Sequence, residues 1–255
     1  MFPYIYLTLP SYMVMAFIGG FVTLLFLYFR SKKYEIAFDD FLKLFLMAAI
    51  GCFFGAKVLF FLTMLAGVFG EVSFWDLPIL LAVSGYVFYG GLFGSLAAIK
   101  LTLQKILGKG YKWESLRNFI APAFPLFHGF GRIGCFMAGC CYGIPLEVPW
   151  QVGGIALERL PTQLIESAYE FFLFAALICL GYRRKRINLL KIYLIAYAIF
   201  RFFIEFYRDD LGRGFWVLFS TSQWISIFIL LYYIGIFQSV WRKFVHINEK
   251  NESRD

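Results

Sequence analysis

Residues 12–29 read YMVMAFIGGFVTLLFLYF, a run without a single charged side chain. At about 1.5 Å of helical rise per residue, about 20 such residues cross the roughly 30 Å hydrocarbon core of a bilayer. Comparable apolar runs recur at about 41–65, 79–103, 116–136, 163–181, 189–207 and 216–241. The composition points the same way. Of 255 residues, 61% are hydrophobic and 16% charged, against about 45–50% and about 25% in an average soluble domain. These runs predict an all-α, polytopic membrane protein with about seven transmembrane helices. One domain is expected over 1–241, followed by a polar cytoplasmic tail over 242–255. Disorder, coiled coil, collagen and nucleic-acid-binding classes are excluded. The net charge of +8 is read as loop charge facing anionic lipid. No Lys or Arg precedes the first run and no small-residue cleavage site follows it, so a retained helix is expected.

Orientation follows from the basic residues. One set of loops carries Arg30, Lys32 and Lys33, then Lys100, Lys105, Lys109, Lys112 and Arg117, then Arg183, Arg184, Lys185, Arg186 and Lys191. With Arg242, Lys243, Lys250 and Arg254 of the tail, that side holds 17 cations, against 3 (Arg159, Arg208, Arg213) on the other. The asymmetry predicts an external amino terminus and a cytoplasmic carboxyl terminus.

Four basic residues remain at membrane depth: Lys43, Lys57, Arg132 and Arg201. Such charges cost at least about 2.5–3.5 kcal/mol each and mark partners or cavities. Lys43 is placed to snorkel, whereas Lys57 suits a structural ion pair or a site role equally. In RFFIEFYRDD, Arg201, Glu205 and Arg208 stand at i, i+4 and i+7, one helical stripe. Two guanidiniums against one carboxylate predict a net positive stripe near the outer leaflet that suits phosphate, which Arg grips with a fork of donors. Gln163, Glu166 and Glu170 form a second stripe, serving either substrate or charge neutralisation. Pro161 and Thr162 suit the helix entry, Thr162 as a possible cap.

The densest stretch is FHGFGRIGCFMAGCCYGIP, residues 127–145. Its glycines, Gly129, Gly131, Gly134, Gly139 and Gly143, predict a weakened or broken helix around Arg132, lining a cavity. His128 and Arg132 share a face if the segment is helical, and histidine suits proton transfer. A hydrogen-bonded structural role competes. Cys135, Cys140 and Cys141 admit four readings: metal ligands, a disulfide, a nucleophilic thiolate, or small packing residues. The adjacency of Cys140 and Cys141 counts against a metal. Cys52 and Cys179 lie inside apolar helical runs and are expected to act as small hydrophobes. Gly90, Gly91 and Gly94 in SGYVFYGGLFGS suit either helix packing or ligand approach.

Taken in order, these segments resemble the bacterial prolipoprotein diacylglyceryl transferases. GAK at 55–57 is similar to that family's GAR, and YGGLFG at 89–94 to its HGGLIG. GRIGCFMAGCCYG at 131–143 resembles its GRxGNFxNxExxG signature. PTQLIE, RFFIEFYRDD and SQWIS resemble its P-S/T-Q-L-Y-E, R-F-x-x-E-F-x-R and GQxLS. The resemblance implies transfer of a diacylglyceryl group from phosphatidylglycerol to a prolipoprotein signal-peptide cysteine, releasing glycerol phosphate. That chemistry runs at the outer leaflet of the bacterial cytoplasmic membrane, with the lipid bilayer as the other partner. No metal or organic cofactor is implied.

The resemblance also assigns roles. Arg132, Arg201 and Arg208, with Glu205, Gln163, Glu166, Gly131, Gly134 and Gly143, fall at substrate-binding positions. Arg132, Arg208, Tyr89 and His128 are the catalytic candidates. Tyr89 replaces the family's HGG histidine, Cys135 and Ala138 its signature asparagines, and Cys140 its signature glutamate. His128 is therefore the candidate base, with Tyr89 as a hydrogen-bond donor. A different acceptor, or a non-catalytic lipid-binding protein on the same scaffold, are the alternatives.

Overall fold

The computed structural model describes residues 4–5, 9–67, 85–104, 110–152, 154–183, 187–209 and 215–235. Its helices are α1 (Ser11–Lys33), α2 (Phe38–Gly67), α3 (Phe88–Thr102), α4 (Trp113–Ile120), α5 (Ala123–Ala138), α6 (Thr162–Arg183), α7 (Leu189–Ile204) and α8 (Thr221–Ile234). The described residues are mostly helical, as expected, and include three short two-stranded antiparallel hairpins, one before α1 and two between helices. They pair Tyr4–Ile5 with Leu9–Pro10, Pro145–Val152 with Ile155–Arg159, and Phe215–Trp216 with Phe219–Ser220.

Among the described residues, three helices are long and apolar enough to cross a membrane: Ser11–Lys33, Phe38–Thr63 and Thr162–Arg183. Helix α1 is patterned inside out. It buries Ser11, Gly19, Thr23 and Ser31 while Phe17 is 79% exposed and Phe21 and Phe29 are also exposed. Lipid tails exert no hydrophobic pressure between helices, so small and polar residues take the interior and large apolar ones face outward.

The 116–136 run is not one helix. It breaks between α4 and α5 at Ala121 and Pro122, because Pro122 has no N–H for the carbonyl of Asn118. Arg30 of α1 compensates: its Nη2 donates to the Asn118 carbonyl and its Nε to that of Phe119, both at 3.2 Å. Two other boundaries also shift. The 189–207 run is α-helical only to Ile204 and then tightens to a 3-10 turn over Glu205–Tyr207. The 216–241 run starts its helix at Thr221, where Ser220 and Gln223 form a capping box. Residues 79–84 of the third run and 236–241 of the last lie outside the described residues. So do Lys105, Lys109, Arg184, Lys185, Arg186, Arg213 and the tail 242–255.

The glycine-rich segments settle as packing surfaces. Gly51 and Gly55 of α2 meet Gly90 and Gly94 of α3 backbone to backbone; a Cβ on Gly94 would strike the Gly51 carbonyl. This is the small-residue interface that lets two helices approach closely. Behind it, Tyr89, Leu92, Leu177, Tyr193, Tyr197 and Ala198 form a buried core that braces α7.

Candidate active site

Helices α5, α6 and α7 bring a buried polar cluster together. The glycine run does not break α5, contrary to expectation. The helix is regular to Ala138 and ends where Gly139 turns left-handed at φ 75. Its glycines admit neighbours instead: a Cβ on Gly129 would press on the Phe171 ring, and one on Gly134 on Met15 and Tyr12. His128 and Arg132 therefore do share one face, both buried. On α6, Gln163, Glu166 and Glu170 are completely inaccessible.

Glu166 is the hub. Arg201 Nη1 donates to its Oε2 at 3.1 Å and its Oε1 at 3.3 Å, and the Tyr197 hydroxyl donates to Oε1 at 3.2 Å. Arg132 Nε lies 3.0 Å from Oε2, and His128 Nε2 lies 3.7 Å from Oε1. Arg201 also pairs with Glu205 at 2.7 Å, and Arg208 approaches the same carboxylate at 3.8 Å. So far from water, a lone charge costs several kcal/mol or more, and Glu166 and Glu205 each offset it by facing two guanidiniums.

This arrangement corrects the expected stripe of two arginines against one carboxylate. Arg208 lies beyond the 3-10 turn in extended backbone (φ −92, ψ 142), bridged to Gly143. Glu166 from another helix joins Glu205 on Arg201, which is thereby neutralised. Arg132 differs. It is 6% exposed, and neither its Nε nor its Nη2 has a hydrogen-bond acceptor among the described residues. Its Nε meets Glu166 as an ion pair without the alignment of a hydrogen bond. Buried donors without acceptors are rare and call for an explanation, and an anionic ligand group supplies one.

Other expected residues take different places. His128 stacks on Phe88 at 3.5 Å between ring centroids and sets Nδ1 3.0 Å from Glu170 Oε1. Its imidazole thus spans Glu170 and Glu166. Ser226 Oγ donates to the Ser222 carbonyl, so the 2.7 Å contact between Tyr89 and Ser226 is donated by Tyr89. That hydroxyl proton is committed within the core, which does not fit a donor to substrate. Gln163 and Thr162 donate from their side chains to the Cys140 and Cys141 carbonyls; α6 already begins at Thr162, which is therefore not its N-cap. Gly143 is a junction: its N–H bonds Leu160, Ile144 N–H bonds Tyr207, and a Cβ there would collide with both acceptor carbonyls. Gly131 has open space around it. Lys57 sits 5.0 Å over the Tyr86 ring, and Lys43 is exposed.

The five cysteines are free. Cys179, within α6, is exposed, and Cys52, within α2, is partly buried. The Sγ atoms of Cys135, Cys140 and Cys141 all lie within 4.8 Å of one another. Adjacency in sequence therefore does not separate Cys140 from Cys141 in space, which removes the objection to a common ligand. Hydrogen bonds with the Cys135 and Cys140 thiols, together with the charges of Arg132 and Arg208, hold Cys141 below the ordinary thiol range. Sequence reasoning missed Tyr197 and Ser222. Tyr197 stands four residues before Arg201, on its stripe, and that spacing could have found it. Ser222 contacts Arg201 Nη2 at 3.4 Å from another helix and left no local signal.

A family model described as prolipoprotein diacylglyceryl transferase matches residues 1–239. A phosphatidylglycerol–prolipoprotein diacylglyceryl transferase of Clostridium tetani is 32% identical over 244 residues, covering 91% of this chain and 92% of that protein. One from Clostridium perfringens is 36% identical over 200 residues, 73% of each chain. One from Geobacter sulfurreducens is 32% identical over 211 residues, 76% of this chain and 75% of the other.

Proposed function

The chain belongs to the prolipoprotein diacylglyceryl transferase family, and from that premise we propose that it moves a diacylglyceryl group from phosphatidylglycerol to the cysteine thiol of a prolipoprotein signal peptide. Arg132 carries the reading: a buried guanidinium with two donors lacking acceptors has the geometry to take a lipid phosphate. As the glyceryl C–O bond breaks, negative charge grows on the departing glycerol phosphate. Preorganised donors in a site shielded from water stabilise such charge without reorganising. Arg208, held in extended backbone beside Glu205, supplies the second cation. Arg201, spent on Glu166 and Glu205, fixes the scaffold.

In this reading His128 accepts the thiol proton, and Glu170 and Glu166 on its two ring nitrogens stabilise the cation that results. Tyr89 supports the site through Ser226 and does not touch substrate. The bundle is proposed to span the cytoplasmic membrane about seven times, amino terminus outward, with the arginines toward the outer leaflet. The distribution of basic loops supports that orientation.

The experiment is incubation of the purified protein with phosphatidylglycerol labelled in its headgroup and a cysteine-bearing signal peptide. Labelled glycerol phosphate and a lipidated peptide are expected. Release of glycerol phosphate without peptide lipidation would assign another acceptor; no release at all would end the transferase reading. His128→Ala is expected to abolish transfer while leaving phosphatidylglycerol binding in place, and full activity in that variant removes His128 from the mechanism.

A further inference from the structure

The loop after α5 brings Cys140 and Cys141 against Cys135 of the helix's last turn, in a shape that its own backbone resists. Gly139 turns left-handed, and Cys141 does so as well, at φ 61. For a residue with a Cβ this costs on the order of 1–3 kcal/mol and persists only where the surroundings enforce it. They do here: Cys140 N–H bonds the Cys135 carbonyl, Gln163 holds the Cys140 carbonyl and Thr162 the Cys141 carbonyl. The outcome is three sulfurs within 4.8 Å of one another. Thiolates on a tetrahedral zinc at about 2.3 Å stand roughly 3.8 Å apart. Sulfurs that already lie within 4.8 Å of one another are within about 1 Å of that spacing.

We propose that Cys135, Cys140 and Cys141 hold a zinc ion whose open fourth position takes the acceptor thiol of the transfer reaction, an inference that rests on the function proposed above. Three protein ligands and one vacant position are the arrangement of catalytic zinc. The chemistry needs such help, because a thiol with pKa near about 8.5 is mostly protonated at neutral pH, whereas a metal-bound thiol is deprotonated. Charge balance is favourable too. Zinc on three thiolates is net negative, and more so with a fourth, while Arg132 stands on α5 three residues before Cys135. Cys140 is exposed and Cys135 and Cys141 are partly buried, which leaves one open side for ion and peptide.

The step balances without any redox change. The signal-peptide thiol binds zinc as thiolate and its proton passes to His128. The sulfur electron pair forms the C–S bond to the glyceryl carbon. The C–O bond to phosphate breaks, and its electron pair leaves on glycerol phosphate beside Arg132. A covalent enzyme intermediate on one of these cysteines is a poor alternative, since a thioether thiolate leaves too reluctantly to be passed on.

The test uses the full chain in detergent or phosphatidylglycerol vesicles. Zinc content is measured by elemental analysis after dialysis, and the chelator-stripped protein is titrated with cobalt(II). One zinc per chain is expected, with the thiolate-to-cobalt absorption of a tetrahedral site. That spectrum is expected to shift when a cysteine-bearing signal peptide is added and not with its serine counterpart. Cys140→Ser and Cys141→Ser should each weaken binding beyond the about 10–100-fold typical of changes outside the ligand shell, and Cys52→Ser should not. Because stripping and reloading are done on the wild-type chain, the result does not depend on a variant folding. No bound metal, a disulfide among the three cysteines, or a cobalt spectrum indifferent to the peptide thiol overturns the proposal. A peptide-sensitive metal site with no lipid transfer under any condition upholds the thiolate site and refutes the transferase reading alone.

Discussion

Replacing Arg132 separates a residue that acts on a ligand from one that only balances charge. Arg132→Lys keeps a cation near Glu166 but removes the planar fork, and with it the Nε and Nη2 donors that lack acceptors in the free protein. A hydrogen bond to a charged group contributes about 1.5–3 kcal/mol, so losing one predicts a fall of about 10- to 150-fold in turnover. Arg132→Gln removes the charge as well. The loss of a preorganised donor at a developing anion then predicts about 100- to 1,000-fold in kcat. Stability should move less, because Glu166 keeps Arg201 and Tyr197 and is never left as a lone buried charge. The assay is glycerol phosphate release in phosphatidylglycerol vesicles at saturating peptide, with Tm measured on the same preparations. Arg132→Lys turnover within twofold of wild type would refute the assignment. So would a loss of activity in Arg132→Gln that simply follows a collapse in Tm.

Glu166→Gln should be the most destabilising conservative change in the cluster. It leaves Arg132 without its carboxylate and Arg201 with Glu205 alone, a loss on the order of 3–5 kcal/mol for a broken buried pair, read as a lowered Tm in detergent. Tyr89→Phe removes one buried hydrogen bond to Ser226, so Tm should drop by the equivalent of about 0.5–1.5 kcal/mol while kcat stays near wild type; a kcat loss without a Tm loss would return Tyr89 to the substrate. Gly94→Ala drives a methyl group into the Gly51 backbone. Overpacking of about 1–3 kcal/mol should appear as lower yield and Tm, and an unchanged protein would mean that α2 and α3 do not meet there.

Much of the bundle was legible because lipid leaves the backbone little choice. An apolar run of sufficient length must satisfy its own N–H and C=O groups, and a helix does so within itself. Helices α1, α2 and α6 therefore fall almost where hydropathy put them. The misplaced boundaries are those where a neighbour intervenes. Pro122 divides the fourth run and Arg30, distant in the chain, takes up the freed carbonyls, and the last helix waits for the Ser220 cap behind a hairpin. Periodicity likewise found the polar stripe on α6 and the shared face of His128 and Arg132. It could not see that α5 survives its glycines, since those glycines answer to Phe171, Met15 and Tyr12.

Residue order alone carried the apolar runs, the family motifs and two of the buried cations, Arg132 and Arg201, all of which depend on neighbours a few positions apart. Which cation is satisfied and which keeps open donors was beyond its reach. That depends on partners distant in the chain, Arg201 finding Glu166 at a separation of 35 positions and Tyr89 finding Ser226 at 137. The same holds for the three thiols, gathered by a left-handed turn that Gln163 and Thr162 secure from the next helix. Interhelical packing sets such distances, and no helical period encodes them.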